Sequence, residues 1–111
     1  MYRYRQSSNL GSTKDSLKSF ERHHRKIGVI QTIKGYTYSS NGILKNGVLI
    51  KGSKGSMRLN SLSWGYSGEG PRGLLKVLMD LQVPESQINR VLDSKWHAYN
   101  GVEQCWVINM P

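Results

Sequence analysis

Residues 27–51 read IGVIQTIKGYTYSSNGILKNGVLIK, and the fold turns on how they divide into strands. Ile27, Val29 and Gln31 alternate with Gly28, Ile30 and Thr32, and Tyr36 and Tyr38 continue the period of two. β-Branched and aromatic residues at that period suit a pleated, half-buried surface. Ser39-Ser40-Asn41-Gly42 reads as a turn. Asn46-Gly47, between Ile43-Leu44-Lys45 and Val48-Leu49-Ile50-Lys51, reads as a tight hairpin. A type I′ hairpin needs positive φ at both central residues, and Asn-Gly tolerates it best. The stretch is therefore expected to form a small antiparallel meander.

Downstream, Gly52-Ser53-Lys54-Gly55-Ser56 is expected to be a flexible basic loop, and Met57 to Ser63 a short strand with Met57, Leu59 and Leu62 inward. Pro71 predicts the start of a helix over 71–82, since its missing N–H costs nothing in a first turn. Leu74, Leu75, Val77, Leu78 and Leu81 give that helix a wide apolar face. A second helix is predicted over 84–99, with Ile88, Val91, Leu92 and Trp96 on one stripe and Asn100-Gly101 ending it. Residues 102–109 are expected to return as a strand that closes the sheet. Upstream, Tyr2-Arg3-Tyr4-Arg5 has the alternation of a short edge strand, and Ser12 with Asp15 fits a helix cap. Only Leu17 and Phe20 supply an apolar stripe over 13–26, too narrow to hold a helix firmly. The sequence thus predicts a basic, weakly ordered arm over 1–26 and one α+β domain over 27–111. In that domain a small antiparallel sheet carries two C-terminal helices on one face, packed through Leu74, Leu78, Ile88, Leu92 and Trp96, and a closing C-terminal strand.

The chain has 111 residues, enough for one domain with one modest core. No apolar run approaches the roughly 18 residues of a membrane span. The first residues lack an apolar stretch after their charges, so they are not read as a secretory signal. The single cysteine, Cys105, rules out an intramolecular disulfide and a cysteine-based zinc site. These features point to a cytoplasmic protein, or one of the host cytoplasm if phage-encoded, with no membrane partner.

The charge is segregated. Sixteen Lys and Arg against seven Asp and Glu give a formal charge of +9. Residues 1–26 carry net +5, residues 27–64 carry +5 with no acid, and residues 65–111 carry −1. A compact fold of the front portion would place a positive field on one face and attract polyanions through counterion release. The expected contacts to nucleic acid or an acidic partner are Arg22, Arg25, Lys26, Lys34, Lys45, Lys51, Lys54 and Arg58. Tyr36 and Tyr38 are interleaved among them as candidate stacking faces. His23 and His24 are adjacent, do not share a helix face, and are read as solvated. His97 and Asp93 could pair on a helix surface, and Cys105 is expected to be buried and inert. No catalytic set, metal set or cofactor motif emerges, so an enzyme is not expected.

Residues 64–71, Trp-Gly-Tyr-Ser-Gly-Glu-Gly-Pro, followed by Leu74, Leu75, Leu78 and Asp80, carry a resemblance. The segment resembles a family of small domains of unknown function found in phages, plasmids and bacterial genomes, with a W-G-Y-G-G-S-G-P-like hallmark before a Leu-rich helix. Ser67 and Glu69 depart from that pattern, as does Ser63 before the Trp. The resemblance spans roughly the last 70 residues and implies a fold rather than a chemistry. Read physically, Gly65, Tyr66, Gly68 and Gly70 before a helix N-terminus, with Arg72 in its first turn, form a candidate anion-cradling loop. The functional expectation is a small non-enzymatic protein of phage or mobile-element type that binds nucleic acid or a phosphate-bearing ligand. The alternative is a phage-encoded, anti-CRISPR-like inhibitor that docks on a host defence enzyme. The oligomeric state is left open.

Overall fold

A computed structural model describes residues 1–96 and 102–111. Five strands form one sheet: β1 (Tyr2–Arg5), β2 (Ile30–Ser40), β3 (Ile43–Gly52), β4 (Gly55–Leu59) and β5 (Val102–Asn109). Their spatial order is β1-β4-β3-β2-β5, antiparallel except for the parallel pair β1 and β4. Three helices accompany it: α1 (Thr13–His23), continued by a 3-10 turn over His24–Ile27, α2 (Glu69–Asp80) and α3 (Glu85–Leu92). The architecture is α+β, and β5 closes the sheet beside β2 as expected.

The 27–51 region folds differently from its prediction. Asn41 and Gly42 both have positive φ, 52° and 78°, and Ser40 pairs with Ile43, so this Asn-Gly makes the two-residue hairpin. Asn46 and Gly47 make no turn; they lie inside β3, opposite Thr37 and Tyr36. The Asn46 side chain is needed in the core. It is 6% exposed, accepts from Thr37 Oγ1 at 2.8 Å and donates from Nδ2 to Ser63 Oγ at 2.7 Å. One long hairpin keeps that buried polar chain satisfied and aligns Val48 and Ile50 with Leu59 and Met57.

The first 26 residues are a second correction. They are built into the domain. Phe20 joins the buried core, and α1 begins with a capping box between Ser12 and Asp15. The narrow apolar stripe is supplemented by small polar anchors. Ser16 Oγ donates to Gln6 Oε1 at 2.6 Å and accepts the Ser61 amide at 3.1 Å. Thr13 Oγ1 donates to the Ser61 carbonyl at 2.9 Å, and Ser19 bonds the Tyr4 hydroxyl at 2.8 Å. Both histidines are also packed: His23 stacks on Tyr4 at 3.7 Å and shares a hydrogen bond with the Tyr2 hydroxyl through Nδ1, while His24 stacks on Phe20 at 4.5 Å.

α2 starts two residues before Pro71, which still lies in the first turn, where its missing N–H has no helical partner. α3 ends at Leu92 rather than 99, and Trp96 lies outside it, 39% exposed. The chain leaves the helix because its last carbonyls find other donors: Ser94 Oγ bonds Arg90 O, and the Gly65 amide bonds Leu92 O. Trp96 Nε1 turns back to the Trp64 carbonyl at 2.7 Å. Leu74, Leu78 and Ile88 enter the core as expected, together with Trp64, which meets Trp106 edge-on at 5.4 Å. The expected cap at Asn100-Gly101 and the pairing of His97 lie outside the described residues.

Candidate nucleic-acid interface

Strand alternation sorts the side chains onto two faces. Ile33, Thr37, Val48, Ile50, Met57, Leu59, Trp106 and Ile108 point to the helix-covered side and are buried. The other side bears no helix residue of that core, and the ladder registers set its side chains in rows. One row runs Val107, Lys34, Leu49, Arg58, Arg5 across all five strands. A second runs Asn109, Thr32, Lys51, Ser56, Arg3. Beyond them lie Gln104, Tyr36, Gly47 and then Val102, Tyr38, Lys45. This open face therefore presents Arg3, Arg5, Lys34, Lys45, Lys51 and Arg58. β1 to β4 contain no Asp or Glu, and Glu103 on β5 lies opposite Thr37, whose side chain is on the covered side.

Two features mark this face as more than a solvated surface. Arg5 and Arg58 are direct neighbours on adjacent strands, a spacing of about 4.8 Å. Like charges in that position destabilise a sheet. At the centre, Leu49 is only 6% exposed although it is on the open side. Its register neighbours are Lys34 and Arg58, and the stems of such residues cover apolar surface while their charges stay in water.

A groove of about 560 Å³ occupies one end of the face, lined by Arg5, Gln6, Ser7, Ser8, Tyr36, Tyr38, Gly47, Arg58, Asn60 and Val102 among others. It arises because β1 and β4 stop at Arg5 and Leu59 while the β2–β3 hairpin runs on. Past that step the sheet has Gly47 where a side chain would otherwise stand. The Gln6–Ser8 rim is fixed from below: Asn60 Nδ2 donates to the Gln6 and Ser7 carbonyls at 3.3 and 3.2 Å. The Gln6 side chain is itself buried, accepting from the Asn60 amide at 3.1 Å.

The structure divides the residues expected to bind a polyanion. Lys34, Tyr36, Tyr38, Lys45, Lys51 and Arg58 come together on the open face. Lys54 is in the turn between β3 and β4. Arg22, Arg25 and Lys26 belong to α1 and its 3-10 extension, on the covered side at the β1 edge, where Lys26 Nζ is 5.6 Å from the Tyr2 ring centroid. The cationic half therefore does not gather onto a single surface. Arg3 and Arg5, not among the expected contacts, join this face, and the Tyr-Arg-Tyr-Arg alternation already sets both arginines on one side of a strand.

The glycine-rich loop is explained by packing. Gly65 has φ +84°, and a Cβ there would stand 2.8 Å from the Ser94 carbonyl. Tyr66, 51% exposed, meets Trp96 edge-on at 6.0 Å, and its hydroxyl faces buried Gly70. In the first turn of α2 Pro71 has no N–H, and the Arg72 amide makes the ordinary helical bond to Gly68 O at 3.2 Å. The hollow beside it, about 570 Å³, is lined by Arg72 but also by Asp93. Gly65, Tyr66, Gly68, Gly70 and Arg72 thus come together in one tight connection into α2, with Asp93 lining the same hollow as Arg72.

Cys105 is half-buried, with Sγ 3.1 Å from Thr37 Oγ1. Among the described residues no three His, Cys, Asp or Glu side chains come together to hold a metal, and no helix is long and apolar enough to cross a membrane. Comparison of the chain with protein-family models, characterised proteins and solved structures returns no match.

Proposed function

We propose that the protein binds nucleic acid through the open face of its sheet, without catalysing a reaction. The observation that carries this reading is the row Lys34, Leu49, Arg58, Arg5: cations around a nearly buried leucine on four adjacent strands, with no carboxylate on β1 to β4. Side chains repel one another in that arrangement unless a polyanion lies across them. A nucleic acid backbone supplies regularly spaced phosphates, and binding releases its condensed counterions. The face is broad and shallow, which suits an extended chain.

The test is a salt titration of binding to mixed-sequence oligonucleotides between about 50 and 200 mM salt. The reading predicts a steep loss of affinity with salt. The triple variant Lys34→Ala, Lys51→Ala, Arg58→Ala is expected to weaken binding and to flatten the log–log slope by about 0.7–0.9 for each phosphate left without its cation. The control Arg22→Ala, Arg25→Ala, Lys26→Ala removes equal charge from the covered side and is expected to change the affinity much less. Equal weakening in both variants would show that net charge alone matters and would refute the assignment of the face.

A further inference from the structure

We infer that the groove over Gly47 seats the bases of a single-stranded nucleic acid, with Tyr36 and Tyr38 as stacking faces and Arg5 and Arg58 on the adjoining phosphate. This rests on the reading above and adds the strand class. The argument starts from the step in the sheet. Two strands end at Arg5 and Leu59, the hairpin continues, and the position that would fill the space is a glycine. Gly47 is not required by the backbone: its φ is not positive, and a Cβ there would meet Tyr38 Cε1 at 3.5 Å and the Leu59 carbonyl at 3.7 Å, both ordinary van der Waals distances. A strand interior gains from a β-branched residue and loses from glycine, and neither the backbone nor the space at the Cβ requires glycine here.

What the glycine provides is room. The groove of about 560 Å³ falls within the range of small-ligand sites, and two tyrosines wall one side of it. Bases offer π-faces only when they are unpaired; in a duplex those faces are stacked on each other. The opposite wall, Gln6, Ser7 and Asn60, is polar and held by its own hydrogen bonds. Arg5 and Arg58 stand at the same end, side by side, as a two-pronged grip for one phosphate. A purely electrostatic binder of duplex needs no recess and no aromatic wall.

The experiment compares wild type with Gly47→Ile, which changes no charge and fills the groove. The probes are fluorescent oligo-dT and oligo-U of about 12 nucleotides, a DNA duplex of matching charge, and heparin. Wild type is expected to hold one or both single strands more tightly than duplex or heparin, and their order names the sugar. Gly47→Ile is expected to melt at or above the wild-type temperature, to lose single-strand affinity by roughly tenfold or more, and to leave duplex and heparin binding unchanged. Tyr38→Ala, a surface truncation, is expected to weaken binding in the same direction and keeps the test decisive if the glycine variant misfolds. Single-strand binding that survives both variants overturns this inference while leaving the open-face reading intact. Absence of binding to every polyanion overturns both.

Discussion

The two faces of the sheet are made by the same strands and obey opposite rules. On the covered face, Ile33, Val48, Ile50, Met57 and Leu59 are closed off by Phe20, Trp64, Leu74, Val77 and Leu78, and even the polar members Thr37 and Asn46 are satisfied internally. On the open face, cations stand beside cations, Gly47 leaves a hollow, and two tyrosines stay half-exposed. The covered face follows the rules of a packed core, apart from the buried Trp64 and Trp106 indole N–H groups, which have no hydrogen-bond partner among the described residues. The open face gives up stability through like-charge neighbours and a glycine in mid-strand, and those departures concentrate at one end of one surface. The placement of Arg5 next to Arg58 is the clearest of them.

Substitutions that cross from one face to the other sharpen this contrast. The largest effect is expected from Trp64→Ala, which empties a fully buried site against Trp106: a cost of about 3–5 kcal/mol, read from urea denaturation. Next comes Asn46→Ala, which leaves Ser63 and Thr37 without their buried partner and is expected to cost about 1–3 kcal/mol. Asn41→Ala, at the hairpin with φ 52°, is expected to cost only about 1–2 kcal/mol, from the left-handed backbone. Glycine separates the two: Asn41→Gly is expected to recover the loss because glycine takes that backbone freely, whereas Asn46→Gly is not, and the same response at both sites would refute the separate roles given to the two Asn-Gly pairs. Arg58→Met, which keeps an apolar stem over Leu49 and removes the charge, is expected to leave stability within about 0.5 kcal/mol of wild type, or to raise it by relieving Arg5.

The smallest effect concerns pH. Burial, then Lys26 and Arg22, hold the His23 imidazole below its ordinary pKa. The unfolded chain therefore takes up that proton more readily than the folded one, and stability falls as pH drops through and below about 6.5. His23→Gln is expected to reduce this acid sensitivity in thermal melts. An unchanged pH profile would show that His23 does not govern it.

Much of the frame was legible in residue order. The period-two runs gave β2 and β5, the Ser12–Asp15 pair marked the start of α1, and the Leu-rich stripe gave α2. The two Asn-Gly dipeptides were not distinguishable locally, because what separates them is whether Ser63, seventeen residues later, can use the Asn46 amide. The attachment of α1 was hidden for a similar reason. Its anchors are serines and a threonine, whose partners Gln6, Tyr4 and Ser61 lie on other segments. For the candidate site, charge and aromatic spacing picked out Lys34, Tyr36, Tyr38, Lys45, Lys51 and Arg58, which the registers place on one face. Grouping Arg22, Arg25 and Lys26 with them failed because a run of cations carries no information about which face the fold will give it. Arg3 and Arg5 were overlooked because their strand pairs with β4, more than fifty residues away.

The most direct test is an NMR titration of the ¹⁵N-labelled protein with unlabelled oligo-dT. The account predicts that amide shifts move along β1, β3 and β4 and around Lys34, Tyr36, Gly47 and Arg58, while α2, α3 and residues 22–26 stay still. Shifts concentrated on α1 and its 3-10 turn, or on the loop from Gly65 to Arg72, would contradict it.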